Sequence, residues 1–492
     1  MRREHDVRPR VVKPVLRAYA LGYLTAVAPR IFDLLRRLRH SNLKWQEQLE
    51  RLRSILVTSA QLNRFPTACA ILIGGATAAP RLVVAILQWI LGRLPQRKRS
   101  ILLNGYEVPL RALCSFLAAW VAFDLLNRDD AWVRKRAMSR GIPPAVIEIG
   151  DQSTSKQQHR PPPSFHPRFA GKTIDFTSFA FCRALDLAVA SAWTRFRVRC
   201  RPFNKQSSQL ASLIQKGVDP SIFALSAAVI MWSWFYSPER LPRSYNHWIS
   251  KVAKIDSRLI QALRLVRQGD FVYGENTGQA SLLAGLCRDL ELPAAYADPA
   301  KTIPIPCELY HCGTGKSCEV HAASRFWRSW QLAMKLYAPL QILAFFRSPK
   351  SRSILESLRA AAISSSFLAT FVSSFYYAVC LARTRLGPKI VSYKTITPQM
   401  WDSGLCVLAG CLACGWSILL EEAGRRREIS LFAAPRAFVT MFPRVYDRRY
   451  QRREQIVFAT SIAAVLTAIK SGQEKNVRGV FGRMLGSIMK DG

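Results

Sequence analysis

Three long segments of the chain contain no charged side chain, and they restrict its fold more than any other feature. They run from Ala360 to Ala382, from Pro220 to Pro238 and from Ser403 to Leu420, with 23, 19 and 18 residues. A helix needs roughly 20 mainly apolar residues to cross about 30 Å of hydrocarbon at 1.5 Å per residue. Buried helices of soluble proteins are seldom this long and apolar three times in one chain. We therefore predict an all-α, polytopic membrane protein.

Five further segments carry weaker hydrophobic signals. Phe65 to Gly92 is apolar apart from one arginine, whereas Leu113 to Leu126 and Glu454 to Ile469 are shorter. Phe179 to Trp193 and Trp327 to Phe346 are amphipathic. For the shorter runs, a buried helix of a soluble core is an equally good interpretation.

The balance of charge points to membrane lipids as partners. The chain has 71 Lys and Arg against 32 Asp and Glu, a formal net charge of +39, yet 49% of its residues are hydrophobic. A disordered basic tail has far fewer apolar residues. The basic clusters adjoin apolar runs, where each charge attracts anionic headgroups by about 1 kcal/mol. No nucleic-acid-binding motif accompanies them, so we predict no nucleic-acid partner and leave homo- or hetero-oligomerisation open.

Three short sequence segments occur twice in the chain, in the same order. The pairs are LCSFLAAWVAFDLL at 113–126 with LCVLAGCLACGWSILL at 405–420, FAFCRAL at 179–185 with FAAPRAF at 432–438, and IFALSAAV at 222–229 with VFATSIAAV at 457–465. The last pair requires one inserted residue. This order predicts a helical bundle built from two sequence-related repeats of three to four hydrophobic segments each. Four spans per repeat would make the repeats parallel and three would make them inverted, and the sequence leaves both open.

These patterns divide the chain into five predicted regions. They are a basic N-terminal amphipathic region at 1–64, a first membrane repeat at 65–236, a polar connector at 237–326, a second membrane repeat at 327–470 and a C-terminal tail at 471–492. Within the first repeat, residues 139–172 are predicted to form a disordered loop. Its stretch from Asp151 to Arg168 has no aliphatic residue and contains three consecutive prolines, so it cannot bury a core.

Two arginines stand inside the shorter apolar segments at matching positions of the two repeats. Arg183 and Arg436 share the frame F-A-x-x-R-A. A charge deep in lipid costs several kcal/mol, so each must pair, face a wet interior or lie at the headgroups. Asp186, Glu421 and Glu422 are the candidate partners, and interfacial snorkelling of the arginines is the simpler alternative.

The connector contains a cysteine-rich turn, CELYHCGTGKSCEVH, from Cys307 to His321. Cys307, Cys312, Cys318 and His321 are candidate ligands of a structural zinc ion, with His311 as a spare nitrogen. Their spacing is not that of a standard zinc finger, so a disulfide or free thiols in an ordered turn remain the alternative. No Ser/His/Asp, Cys/His or paired-carboxylate arrangement is convincing elsewhere. We therefore predict no enzyme and no cofactor other than zinc.

The chain resembles the fungal branch of the transmembrane protein 135 family. The resemblance rests on segments within 65–440, namely IMWSWFYSPERLPRSYNHWI at 230–249, PCELYHCG at 306–313, SCEVHA at 317–322, SSFLATFVSSFYYAVC at 365–380 and GWSILLEEAGRRREISLFAAPRA at 415–437. In that family the turn is C-x-x-L-H-P-G, and Cys312 stands here in place of proline. The family is distantly similar to the Tim-type translocase and peroxisomal membrane protein superfamily.

The resemblance implies a non-enzymatic integral membrane protein of the peroxisome or mitochondrion that serves lipid homeostasis and organelle membrane dynamics. It carries over no catalytic residue. The alternative function is a transporter or channel for a lipid or small metabolite at the interface of the two repeats, for which Arg183 and Arg436 would be the first residues to test.

Overall fold

The structure is a computed structural model, and it describes residues 7–38, 45–62, 64–90, 96–127, 173–199, 205–347, 353–390, 395–442, 450–472 and 476–490. The elements within these ranges are helices joined by turns, without a β-strand. The predicted all-α class is confirmed. The predicted loop at 139–172 lies outside the described residues.

Eighteen α-helices are numbered here in chain order, and the first nine belong to the N-terminal part of the chain. They are α1 (Val7–Leu38), α2 (Trp45–Ser59), α3 (Phe65–Ile90), α4 (Gln96–Asn127), α5 (Ile174–Arg199), α6 (Lys205–Tyr236), α7 (Arg243–Ala253), α8 (Ser257–Gln268) and α9 (Ala280–Asp289).

The remaining helices include several short elements around the ends of the apolar runs. They are α10 (Cys307–His311), α11 (Cys318–Arg347), α12 (Ile354–Cys380), α13 (Gly387–Ile390), α14 (Pro398–Met400), α15 (Cys406–Cys414), α16 (Ala423–Thr440), α17 (Gln451–Lys470) and α18 (Gly479–Met489). A π-helical turn, Leu381–Arg385, continues α12, and a second one, Trp401–Leu405, leads into α15.

Five helical segments of the described chain are long and apolar enough to cross a membrane. They are Phe65–Ile90, Tyr106–Asn127, Ser212–Tyr236, Ile354–Arg385 and Pro398–Leu420. These segments cover all or nearly all of the three uncharged runs and of two weaker ones, Phe65 to Gly92 and Leu113 to Leu126. The weaker run from Glu454 to Ile469 lies within α17, which is not among these five segments. The helices are therefore those expected of an integral membrane protein.

The apolar surface of these helices supports the same conclusion. On α15 and the turn after it, Leu408, Leu412 and Trp416 are exposed, the last two by about half, whereas Cys411 and Cys414 on the opposite face are buried. The exposed residues recur every four positions and so form one stripe along the helix. Soluble monomers rarely expose contiguous apolar surface of this kind. A hydrocarbon environment on that face accounts for the stripe.

The chain forms two compact units. Unit 1 comprises Met1–Arg199 with Val445–Gly492, and unit 2 comprises Cys200–Arg444. In unit 1, α4 packs against α3 and α17, and α17 also packs against α5. In unit 2, α6 packs against α15 and α16, and α12 packs against α11 and α15. The boundaries of the units differ from those of the predicted repeats, because α6 belongs to unit 2 and α17 belongs to unit 1.

The predicted polar connector is part of the core of unit 2. Leu259, Leu263, Leu283 and Leu309 from α8, α9 and α10 are each at most 2% exposed and belong to one buried apolar cluster. A local signal sets the start of α8: Asp256 caps this helix by accepting a hydrogen bond from its second helical amide. Burial of Leu309 holds the next two residues of α10 against the ends of the apolar helices.

Candidate metal centre

The turn after α10 orients His311. Cys312 follows in the left-handed conformation, with φ of 49°, and Gly313 and Gly315 have φ of 82° and 89°. This sharp reversal of the backbone is favourable at glycine, which has no Cβ. It brings the carbonyl oxygen of Gly315 within 2.7 Å of His311 Nδ1, which donates a hydrogen bond to it. The other ring nitrogen, Nε2, is then the lone-pair nitrogen.

Three buried side chains converge beside that nitrogen. His311 Nε2, Cys318 Sγ and Cys380 Sγ all lie within 4.8 Å of one another, and the Nε2–Sγ distance to Cys380 is 3.5 Å. His311 is fully buried, and the two cysteines are each 5% exposed. Sulfur and imidazole ligands are those that zinc prefers. A backbone carbonyl on the remote ring nitrogen commonly orients a metal-binding histidine. This group could hold a metal ion.

Cys307 is a further sulfur donor on the same short helix as His311. Its side chain lies at the start of α10, and its Sγ is 4.0 Å from Arg383 Nη1. Burial raises the pKa of the Cys307 thiol, whereas Arg383 lowers it and Cys318 raises it. Cys307 shares α10 with His311 and adjoins Arg383, the residue three positions after Cys380. Cys307 is therefore the candidate fourth ligand.

The four ligands proposed from the sequence are divided by the structure. Cys318 belongs to the buried group and Cys307 adjoins it. Cys312 Sγ instead faces the carbonyl oxygens of its own turn, at 3.6 and 3.7 Å. His321 stacks on His311 with ring centroids 4.6 Å apart, and its Nδ1 is 2.6 Å from Thr314 Oγ1. Burial, with the charge of a neighbouring arginine, lowers the pKa of His321 to about 3, so its ring is neutral.

The cysteines of the described chain are free thiols, eleven in number. For the cysteine-rich turn, the sequence left a disulfide and free thiols open as alternatives to zinc. Among the described residues, the turn contains free thiols and no disulfide. Free thiols close to an imidazole are compatible with metal binding, because the thiolate is the form that coordinates the metal.

An ion pair lies next to the sulfur group, at the ends of two candidate spans. Arg383, in the π-helical turn after α12, contacts Asp402 in the turn before α15. Arg383 Nε is 2.5 Å from Asp402 Oδ1, and Nη2 is 2.8 Å from Oδ2. The two residues are 4% and 0% exposed. Such a bidentate geometry is the strongest form of the arginine–carboxylate contact.

The surroundings of the ion pair satisfy its remaining hydrogen-bonding groups. Tyr273 and Tyr310 donate hydroxyl hydrogen bonds to Asp402, the second at 3.2 Å. Arg383 donates to the carbonyl oxygen of Ile305, and its guanidinium carbon lies 4.3 Å from the centre of the Tyr310 ring. Burial raises the pKa of Tyr310 well above its usual value, so it stays a donor. Desolvation of a buried ion pair is tolerable only with such additional bonds.

The predicted charge in α5 has different contacts from those proposed. Arg183 Nη1 donates to the carbonyl oxygen of Arg478 at 3.1 Å, and its guanidinium lies 5.1 Å and 5.2 Å from the rings of Phe179 and Phe481. Asp186 accepts from Arg478 Nε at 2.9 Å. Thus Arg478 contacts both Arg183 and Asp186 of α5.

The corresponding charges near α16 also find other neighbours. Arg436 stacks 3.4 Å from the centre of the Phe432 ring and donates to the carbonyl oxygen of Phe432 at 2.9 Å. Glu421 is 2% exposed and has Arg425 Nη1 at 3.7 Å. Glu422 is the N-cap residue of α16.

Comparison of the chain with protein-family models, with curated proteins and with solved structures finds no match. The structure by itself defines the class, an all-α protein with several apolar helices of membrane-spanning length and a buried His/Cys/Cys group able to hold a metal ion.

Proposed function

We propose that this chain is a non-enzymatic integral membrane protein of an intracellular organelle, peroxisome or mitochondrion, that serves lipid homeostasis and membrane dynamics, and that a zinc ion stabilises its unit 2. One observation carries the membrane part of the proposal. The apolar helices keep an exposed hydrocarbon-like face even after packing, as the stripe on α15 illustrates.

The organelle and the lipid role are supported by the sequence resemblance to the transmembrane protein 135 family and by the arginine clusters that adjoin the apolar runs. Those clusters match the anionic surface of a membrane. A protein of this composition that contacts lipid on several helices is suited to act on the membrane rather than on a soluble substrate.

The test of the organelle assignment is microscopy of the tagged full-length protein with peroxisomal and mitochondrial markers, joined to lipid analysis of cells that lack it. The proposal predicts coincidence with one of the two markers and an altered lipid profile that the wild-type gene restores. Location at another membrane, or an unchanged lipid profile, would contradict it.

The zinc part of the proposal follows from the sulfur group. His311, Cys318 and Cys380 supply three ligands, and Cys307, on the same helix as His311, supplies the fourth. Four protein ligands complete the tetrahedral coordination of a structural site. The ion would join the turn after α10 to the start of α11 and the end of α12.

Elemental analysis of the purified full-length protein decides the zinc proposal. About one zinc per chain is expected in the wild type, as for a closed tetrahedral site, and loss of the metal in Cys318→Ser and Cys380→Ser. Cys312→Ser is the matched control, because its sulfur faces the carbonyl oxygens of its own turn, and it should keep the metal. Absence of metal from the wild type, or equal loss from the control, would end this part of the proposal.

A further inference from the structure

Unit 1 contains an open groove between α4, α5 and α17. It runs from Phe116 and Thr460 at one end to Val108 and Ser471 at the other, with a volume of about 950 Å³. This volume is at the upper end of the range for small-molecule pockets. We refer to it as the unit 1 groove.

Small side chains create the unit 1 groove. Six of its lining residues are alanines, contributed by all three helices, and Ala188 and Ala464 are exposed within it. Alanines at facing positions leave space between helices that larger side chains would fill. Within a membrane, apolar groups fill such a space, because close packing maximises the dispersion contacts between them.

One polar group in the groove has no partner. Thr467 lines the groove and is 9% exposed, and its Oγ1 finds no hydrogen-bond partner among the residues that the structure describes. A buried hydroxyl without a partner costs about 1–3 kcal/mol. Because this oxygen is itself closed to solvent, the Thr467 side chain would have to rotate about χ1 before it could donate to an acceptor oxygen of a ligand.

A positive charge lies at the Ser471 end of the groove. Arg111 follows Val108 by three residues on α4, and its Nη1 donates to the carbonyl oxygen of Lys470 at 3.2 Å. Glu107 approaches the same guanidinium less closely, at 3.8 Å. The candidate span Tyr106–Asn127 begins here, so this end of the groove is near the membrane surface. Thr467 lies about one helical turn (5.4 Å) before Ser471 along the chain.

The predicted repeats give an internal comparison for the groove. In unit 1, Thr177 of α5 donates to Glu454 of α17 at 3.0 Å. In unit 2, Ser430 of α16 donates to the backbone oxygen of Asp219 of α6 at 2.8 Å. These residues are related by the repeat offsets, since 430 − 177 = 253 and 454 − 219 = 235. The contact between α5 and α17 in unit 1 therefore matches the contact between α16 and α6 in unit 2.

Buried apolar residues repeat the same correspondence. Ala180 and Phe458 share one buried cluster in unit 1, and Ala433 and Phe223 share one in unit 2. The offsets are again 433 − 180 = 253 and 458 − 223 = 235. The position of the unit 1 groove can therefore be located in unit 2.

Side chains of the protein itself fill that position in unit 2. Ala112 and Ala468 of the groove correspond to Gly404 and Trp232, by 404 − 112 = 292 and by 468 − 232 = 236 after the inserted residue. The guanidinium of Arg267, from α8, lies 4.8 Å from the centre of the Trp232 ring. A Cβ on Gly404 would come within 2.8 Å of Arg267 Nη1 and 3.1 Å of Trp232. No comparable arginine or tryptophan lines the groove of unit 1.

We propose that the unit 1 groove binds a membrane phospholipid with a negatively charged headgroup, in the place that Trp232 and Arg267 occupy in unit 2. The acyl chain lies along the alanines of α17 towards Phe116. An ester carbonyl oxygen accepts the hydrogen bond of Thr467, and the phosphate lies at Arg111. The inference deepens the proposed lipid role and rests on the membrane location in it.

The test uses full-length protein reconstituted in phosphatidylcholine vesicles that contain phosphatidylglycerol with a photoreactive diazirine in its acyl chain. After irradiation, mass spectrometry locates the adducts. We expect them on residues that line the groove. Ala464→Phe, which places a ring in the groove, should reduce them about tenfold, a loss of 1.4 kcal/mol in binding. Ala188→Phe on α5 is a second variant in case the first does not fold.

The control is Leu117→Phe, on α4, at a residue that is not part of the groove lining and is 54% exposed; it should leave the adducts unchanged. Adducts spread evenly over the exposed faces of α3 and α4, or unchanged in both groove variants, would overturn the site. Equal labelling by a photoreactive phosphatidylcholine would overturn the anionic headgroup. These failures differ from failure of the proposed function, which would appear as wild-type protein that does not remain in membranes.

Discussion

The buried ion pair between Arg383 and Asp402 leads to the sharpest prediction about stability. Asp402→Asn removes the negative charge and leaves the guanidinium of Arg383, 4% exposed, without a carboxylate; its other neighbours are the carbonyl oxygen of Ile305, the Cys307 sulfur and the Tyr310 ring. Breaking a buried pair by removing one partner costs about 3–5 kcal/mol. Such a loss lowers the ratio of folded to unfolded protein by roughly two to three and a half powers of ten.

Arg385→Gln is the matched control on the same turn. Arg385 pairs with Glu319, but the two side chains are 52% and 47% exposed, and exposed pairs contribute only about 0–1 kcal/mol. The assay is equilibrium unfolding of the purified full-length protein in detergent micelles, followed by circular dichroism. The difference between the variants should therefore be about 2 kcal/mol or more.

A double variant separates lost charge pairing from lost packing. Replacing both partners, as Arg383→Met with Asp402→Leu, removes the uncompensated charge and should recover part of the loss caused by Asp402→Asn. The reasoning would be refuted if Asp402→Asn were no more destabilising than Arg385→Gln.

Three further predictions use the same unfolding assay. Gly415→Ala should destabilise the protein by about 1–3 kcal/mol through overpacking, because its Cβ would lie 2.4 Å from a Cα of α6, whereas Gly424→Ala has open space and should be tolerated. Thr177→Val should cost about 0.5–1.5 kcal/mol, the net value of its hydrogen bond to Glu454; a neutral result would contradict the buried contact. Asp256→Ala should cost about 1 kcal/mol as a lost N-cap. Hydrogen bonds from the arginine of the same turn lower the folded-state pKa of Asp256, so its contribution is present above the unfolded pKa of about 3.9 and disappears as the pH falls through the lowered value. A difference between wild type and Asp256→Ala that grows on acidification would contradict this sign.

The apolar runs predicted the helices well, because hydrophobic length depends on local sequence alone. The segments around Ala360 to Ala382 and Ser403 to Leu420 form the expected helical spans. The same runs contained a signal for the ion pair. Arg383 is the first charged residue after one run, and Asp402 is the last before the other. Their pairing could have been proposed from the end positions of the two helices, but not their neighbours Tyr273 and Tyr310, which come from a distant part of the chain.

The sulfur group could be predicted only in part, for a similar reason. Sequence spacing groups residues that are close along the chain, and it selected Cys312 and His321 together with Cys318. The structure adds His311, which the sequence offered only as an additional nitrogen donor. It also adds Cys380, which is 62 residues from Cys318 (380 − 318 = 62). A ligand at the end of another helix reaches the turn only through the packing of α11 against α12.

The division into units was also beyond the sequence. Matching segments predicted which helices are related, but not which helices pack together. In unit 1, α17 packs with α4 and α5, although the sequence groups it with α12 and α16. Helices of similar sequence present similar faces. The fourth helix of one repeat can therefore pack in the position expected for the fourth helix of the other repeat. Local sequence patterns do not distinguish these two arrangements.

Flotation after alkaline carbonate extraction tests the central claim, that these helices lie in a lipid bilayer, most directly. Membranes that contain the tagged full-length protein are washed at high pH, which releases peripheral proteins, and are then centrifuged upwards through a density gradient. The protein should rise with the lipid and move to the bottom once detergent dissolves the membranes. Recovery in the carbonate supernatant, or at the bottom of the gradient without detergent, would contradict a membrane-embedded fold.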